Sequence, residues 1–259
     1  MNDAKPLAGV RIAVTRALHQ APPFEALIRE WGGIPVPYPC IAIEPSPDPR
    51  QLADCLRRVQ EFDWLLLTSG NTVRAIAECL AGLGIALPNY GIRIGAAGPA
   101  TAEKAQRLLS CGIHHAPAEY GAAPLARSLP LGANSRILLP QSDRAAESTA
   151  EALRSRGASV TSVVAYRTVM GEGGVGLPAQ IAAGEIDALS FTSPSAVAFF
   201  RRRCPMAEAR ELPALCIGTA TAAAAHAHGF QRVICPAQPT LLNMLAALAD
   251  CFASTAAKS

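Results

Sequence analysis

Two short runs carry most of the chemistry this chain can offer. Thr68-Ser69-Gly70-Asn71 and Thr192-Ser193-Pro194-Ser195 each follow an apolar run and precede a helical one. Ser, Thr and Asn oxygens cap helix N-termini, and Pro194 suits a first helical turn. Capping alone accounts for such residues in any fold. At the carboxyl ends of parallel strands they gain a second use, because free backbone N–H groups and the positive end of the helix dipole converge there on an anion. Each such contact is worth about 0.3–1 kcal/mol, so a ligand held this way must carry several anionic groups. Gly98…Thr101 and Gly218…Thr221 repeat the pattern after the next apolar runs, with capping and close packing as the simpler reading. Arg16 directly follows the run Arg11–Thr15, at a strand end that faces either a ligand crevice or plain solvent. Tyr166 lies inside Val163–Val169, where a tyrosine is either core with its hydroxyl at the rim or aimed into a cleft.

Other chemistries find little support. The eight cysteines form no C-x-x-C pair and none stands at ligand spacing from a histidine. They read as reduced, mostly buried thiols, and no metal site is expected. His226 and His228 are two apart on a helix and face different sides. His114 and His115 read as solvated residues at a helix exit near Gly112. Gly171-Glu-Gly173-Gly-Val-Gly176 matches G-x-G-x-x-G, but no acidic strand end follows about 20 residues on, so a flexible linker is the better reading. Neither G-x-S-x-G nor a P-loop is present.

The elements that must position these residues follow from composition and pattern. The chain has 259 residues, 50% hydrophobic and 17% charged, which excludes disorder and suffices for one or two cores. A net charge of +3 and 5% aromatics argue against a nucleic-acid partner. The absence of a long apolar run and of a signal-peptide pattern after Met1–Pro6 predicts no membrane partner and a cytoplasmic location. Strands are predicted at Arg11–Thr15, Trp64–Thr68, Ile92–Gly95, Arg136–Pro140, Ser159–Val169, Ala188–Thr192, Ala214–Gly218 and Arg232–Cys235. Helices between them include Thr72–Leu83, Thr101–Leu109, Ala145–Arg156, Ser195–Arg203, Ala220–His228 and Leu241–Phe252, with Gly84, Gly112, Gly157 and Gly229 as C-caps. Near-continuous apolar strands alternating with helices predict parallel sheets covered on both faces.

The chain also repeats itself. Asp63-Trp-Leu-Leu-Leu-Thr-Ser aligns with Asp187-Ala-Leu-Ser-Phe-Thr-Ser, 124 residues on, and Gly98-Pro-Ala-Thr-Ala aligns with Gly218-Thr-Ala-Thr-Ala, 120 residues on. Arg11-Ile12 matches Arg136-Ile137, and Glu25-Ala-Leu27 matches Glu151-Ala-Leu153. The fold class expected is α/β, as two similar domains, each a parallel sheet flanked by helices and together forming a cleft. Pro35–Pro49 and Met170–Pro178 read as low-order linkers between them.

The ordered set Val14-Thr15-Arg16, Pro39-x-Ile41-x-Ile43-x-Pro45, Asp63-Trp-Leu-Leu-Leu-Thr-Ser-x-Asn71, Tyr166, Asp187-x-Leu-x-Phe-Thr-Ser-Pro194 and Ile217-Gly-x-x-Thr221-Ala222 resembles the uroporphyrinogen-III synthase family, from about Gly9 to Leu248. The resemblance implies a cofactor-free cytoplasmic lyase of haem biosynthesis, acting as a monomer on hydroxymethylbilane, a linear tetrapyrrole with four acetates and four propionates. Water is lost, the D ring is inverted, and uroporphyrinogen III forms. Carried over residue by residue, it implies Tyr166 as the group aiding the leaving hydroxyl. Arg16, Thr68, Ser69, Asn71, Thr101, Thr192, Ser193, Ser195, Gly218 and Thr221 become substrate contacts. An Arg-Glu pair common in the family's helix after the fourth strand reads Ala146-Glu147 here, with Arg144 just before it. Periodicity alone would cut the chain near Pro124. The family's topology instead joins 1–37 with 171–259 as one discontinuous domain and makes 41–167 the other, linked by two strand-like crossings that act as hinges. The competing reading is a two-domain clamshell that binds small anions, or senses them, without catalysis.

Overall fold

The computed structural model describes residues 5–256. Residues 1–4, on which part of the leader reading rests, and 257–259 lie outside that range. In chain order the elements are β1 (Arg11–Val14), α1 (Pro22–Glu30), β2 (Ile34–Pro37), β3 (Ile41–Pro45), α2 (Pro49–Arg57), β4 (Trp64–Leu67), α3 (Gly70–Leu83), β5 (Arg93–Ala96), α4 (Pro99–Leu109) and α5 (Ala122–Ser128). They continue with β6 (Arg136–Ser142), α6 (Ser148–Arg154), β7 (Ser159–Met170), α7 (Leu177–Ala182), β8 (Ala188–Phe191), α8 (Pro194–Arg203), β9 (Ala214–Cys216), α9 (Thr219–Ala227), β10 (Val233–Ile234) and α10 (Leu241–Ala256). The chain divides into two compact units: Met1–Ala42 with Val169–Ser259, and Ile43–Thr168.

The first unit is a five-stranded sheet in the order β10-β9-β8-β1-β2, with parallel pairing throughout. One face packs Phe24 and Ile28 of α1 and Met244, Leu245 and Leu248 of α10 against Ile12, Val14 and Leu215. The other face holds a cluster of edge-to-face aromatic rings, Tyr38, Phe191, Phe200 and Phe230.

The second unit has the order β3-β7-β6-β4-β5. The four residues of β4 are all buried because the strand is covered twice. Leu65 and Leu67 face Val73, Ile76 and Leu80 of α3, while Trp64 and Leu66 face Leu125 of α5 and Leu153 of α6. The two units share a plan with a different chain entry. Taking β8, β9, β1 and β2 as counterparts of β4, β5, β6 and β7 matches four strands of each sheet, with β10 and β3 added at opposite edges, so the internal repeat is a circularly permuted one.

Several expectations are corrected. Pro35–Pro49 is not low-order: it holds β2, β3 and the start of α2. Ile34 and Tyr38 donate backbone N–H groups to Val10 O and Val14 O, at 2.7 and 2.9 Å. Pro35 and Pro37 fall between them, where a strand's N–H groups point away from its partner, and β2 ends its sheet, so the missing donors cost nothing. Pro49 opens α2, with Asp48 accepting from Arg50 N. Two of the four glycines after Met170 are packed rather than slack, Gly171 and Gly174. A Cβ on Gly171 would stand 2.6 Å from Pro39 O. Gly174, at φ +65°, would place one 2.5 Å from Pro37 O. The residue ending α4 in a left-handed conformation is Ser110, φ 51°, not Gly112. The helix expected over Ala145–Arg156 is α6, only Ser148–Arg154. His115 is half-buried beside β5, bridging to Gly95 and bonded to Ser128 Oγ at 2.8 Å, because the chain there runs on as a one-bridge extension of the sheet. Among the described residues no helix is long and apolar enough to cross a membrane.

Candidate functional site

Each unit gathers its hydroxyl-bearing turns at the carboxyl edge of its own sheet. In the second unit Ser69 caps α3: its backbone is extended, at φ −157°, and its Oγ accepts Thr72 N at 3.1 Å. The same Oγ meets Thr72 Oγ1 at 3.0 Å and Tyr166 Oη at 3.1 Å. Thr72, fully buried, is the third member of this hydroxyl cluster. Sequence reasoning passed over it because Thr at that helical position reads as core.

Tyr166 reaches Ser69 because of an irregularity in β7. Along the β6–β7 pair, Gln141 matches Val164 but Ser142 matches Tyr166, so Ala165 is skipped. Strict alternation from Val163 through Ala165 would put Tyr166 on the opposite face. The bulge returns it to the face that packs against α3, where Val163, Ala165 and Tyr166 share one core. The next turn fixes the strand further. Asp143 N donates to Tyr166 O at 3.1 Å, and Thr168 N donates to Asp143 Oδ1 at 2.9 Å. Only 8% of Tyr166 is exposed.

Thr68 follows β4, Asn71 lies in the first turn of α3, and both are half-buried. Gly98 precedes α4, whose first turn holds Thr101. Two further residues meet these turns, neither flagged by type or spacing. Lys104 lies along Gly70: a Cβ there would stand 3.1 Å from Lys104 Cδ and 3.4 Å from its Nζ. The ring of Tyr120 covers Gly98, with Cβ and Cγ 3.6 Å from a Cβ position there. Arg144 lies in the loop before α6, its N–H donating to Ser142 Oγ at 3.2 Å.

The first unit is built alike. Ser193 caps α8, its Oγ accepting Ala196 N at 3.2 Å, with Pro194 at the first helical position. Thr192 and Ser195 flank it, half-buried. Gly218 precedes α9, and Thr221 in that helix's first turn is buried. Arg16 follows Thr15 at the end of β1. Its Nε is buried without a hydrogen-bond partner, and burial lowers the guanidinium's proton affinity. Thr15 Oγ1 donates to Ser190 O at 2.6 Å and Ser190 Oγ to Ala13 O at 2.7 Å, so β1 and β8 are held together just below Arg16. A half-buried cation with a buried, unmatched donor favours an anionic partner.

A family model described as uroporphyrinogen-III synthase HemD matches residues 23–246. The chain belongs to the uroporphyrinogen-III synthase family. A porphyrin biosynthesis protein HemD of Ruminiclostridium josui is 30% identical over 234 residues, covering 89% of this chain and 46% of that protein. A uroporphyrinogen-III synthase of Synechococcus elongatus is 32% identical over 168 residues, 63% of this chain and 62% of that one. The chain thus spans about half to three-fifths of the length of these curated relatives. In fold it is similar to the uroporphyrinogen III synthase of Thermus thermophilus, with TM-score 0.67 and 24% identity over 95% of this chain and 100% of that one. The Helicobacter pylori enzyme matches at TM-score 0.56 and 16% identity, over 94% and 99%. The two-unit parallel α/β architecture is the family's.

Proposed function

We propose that this chain is a uroporphyrinogen-III synthase: it cyclises hydroxymethylbilane to uroporphyrinogen III with loss of one water. The observation that carries the reading is the Tyr166–Ser69 hydroxyl pair, at 3.1 Å, beside the capped N-terminus of α3 in a chain of this family. The reaction breaks one C–O bond, forms a new ring-closing C–C bond and changes no oxidation state, so a redox cofactor has no task in it. In the proposed sequence the terminal hydroxyl leaves, giving an azafulvene cation. The D ring attacks through its substituted carbon to a spiro intermediate, which fragments and recloses. Hydroxide is a poor leaving group, and a positioned proton donor lowers that barrier. Tyr166 Oη would supply the hydrogen bond, with Ser69 Oγ holding its direction.

The substrate's carboxylates suit the helix N-termini. Thr68, Ser69, Asn71 and Thr101 on one unit, and Arg16, Thr192, Ser193, Ser195, Gly218 and Thr221 on the other, are the proposed contacts. Neutral donors and helix dipoles hold an eight-fold anion without requiring a strongly basic surface. An anion binder without chemistry would need the Tyr166–Ser69 pair only to satisfy a buried hydroxyl, whereas the synthase reading also gives it a proton to deliver. The proposal extends to a lyase working as a cytoplasmic monomer, with 1–37 plus 171–259 and 41–167 as its domains. The test is incubation with freshly generated hydroxymethylbilane and separation of product isomers. The type III isomer is expected. Only the type I isomer, which forms spontaneously, would overturn the reading.

A further inference from the structure

The internal repeat provides a control for every position at these turns. Ser69 and Ser193 cap their helices in the same way, and Gly98 and Gly218 precede the next ones. The divergence lies in what surrounds them. Position 70 is Gly and its counterpart 194 is Pro; position 104 is Lys and its counterpart 224 is Ala. Gly70 makes room for Lys104, since a Cβ there would meet the lysine stem at 3.1 Å. In the first unit no lysine needs accommodating, and Pro194 takes the first helical position. The glycine before the second helix is covered by Tyr120 in one unit and by Pro239 in the other, each with an atom 3.6 Å from the Cβ position. Gly121 N donates to Ala97 O at 2.8 Å, so the loop carrying Tyr120 is pinned. The tyrosine nevertheless remains 43% exposed.

An aromatic ring left open at a pinned loop, and a lysine laid over a helix start, are both absent from the matching turns of the first unit. Lys104 lies three residues after Thr101 on α4, hence on the same side of that helix. A ligand that is both aromatic and anionic would engage the pair, the ring by stacking and the ammonium by charge. We infer that Tyr120 and Lys104 are substrate-contact residues of the second unit, Tyr120 against a pyrrole ring and Lys104 against one of its carboxylates. The inference rests on the synthase reading and names the unit whose contacts orient the reacting ring, since Tyr166 is in the same unit.

The test uses the full chain with Tyr120→Ala, Tyr120→Phe, Lys104→Met and, as a control on the opposite, exposed side of α4, Gln106→Ala. Two readouts are taken: KM and kcat for type III formation from hydroxymethylbilane, and the Kd of uroporphyrin III, an octacarboxylate, by fluorescence quenching. Tyr120→Ala and Lys104→Met should each raise KM and Kd by about ten-fold. Tyr120→Phe should restore binding, Gln106→Ala should change nothing, and kcat should move by less than about three-fold. Unchanged KM and Kd in both variants, with wild type making the type III isomer, overturns the inference and leaves the function standing. Wild type making only the type I isomer while the variants lose porphyrin binding overturns the function and keeps the contact assignment.

Discussion

Asp187 Oδ2 accepts the backbone N–H of Arg11, 176 residues away in sequence, at 2.7 Å. Its repeat counterpart Asp63 does the same for Arg136 N, also at 2.7 Å. Each aspartate also pairs with that arginine's side chain, at 3.5 and 3.8 Å. The clasp thus holds the two central strands of each sheet at their N-terminal ends, opposite the hydroxyl-bearing turns. A carboxylate accepting a backbone N–H is worth about 1–3 kcal/mol, and the exposed ion pair adds little. Asp187→Ala should therefore lower stability by about 1–2 kcal/mol, and Asp187→Asn by less, read as shifts in urea midpoint. Equal midpoints for all three proteins would show that the clasp contributes nothing.

Tyr166→Phe removes one hydroxyl from a packed strand, so melting should change little. Type III turnover is expected to fall by about ten-fold or more, at the low end for a general acid because a phenol is a weak one. Released substrate then closes to the type I isomer. The assay is the III-to-I ratio of folded mutant beside wild type, and an unchanged rate and ratio would remove Tyr166 from the mechanism.

Ser69→Ala and Ser193→Ala lose the same cap, each at about 1 kcal/mol. Ser69→Ala also takes away the partner of Tyr166 Oη, so its kcat should drop beyond that of Ser193→Ala at similar stability. Equal kcat losses would mean that Ser69 acts as a cap only.

Gly174→Ala should destabilise by more than about 1 kcal/mol, since a left-handed alanine is strained and its Cβ would press on Pro37 O. Gly176, whose Cβ position meets nothing within 4 Å, should tolerate alanine. Chemical denaturation of the two variants separates these outcomes.

Burial pushes the Cys40 and Cys216 thiols up from 9.0 to about 12. Below about pH 9 both stay protonated, folded or unfolded. Between about 9 and 12 the unfolded chain releases these protons and the folded chain keeps them, so stability should fall as pH rises through that window. Iodoacetamide mapping at pH 9 should label the exposed Cys235 well before Cys40 or Cys216. Simultaneous labelling would contradict the burial.

What the sequence reveals depends on whether a signal is local. The β4 run is legible because burial on both faces makes every residue apolar. The Ser69 and Ser193 caps are legible because cap chemistry is local too. β2 escapes because proline reads as a breaker until the neighbouring strand shows which N–H groups are needed. The face of Tyr166 escapes because counting by twos cannot register the bulge at Ala165. Lys104 and Tyr120 escape because their meaning lies in the glycines they cover, although Gly70 set against Pro194 in the aligned repeat is a trace of it.

The first sheet sets β1 between β2 and β8, strands drawn from opposite ends of the chain. A ribosome making this protein therefore releases β1 and α1 long before the strand that completes them. The whole of the second unit, 43–168, emerges in between and can close by itself. Until β8 and β9 follow, the apolar flank of β1 has no native partner. Nascent chains stalled after Thr168 should then protect the second unit from protease while residues 5–37 are cut, and chains stalled after α10 should protect both.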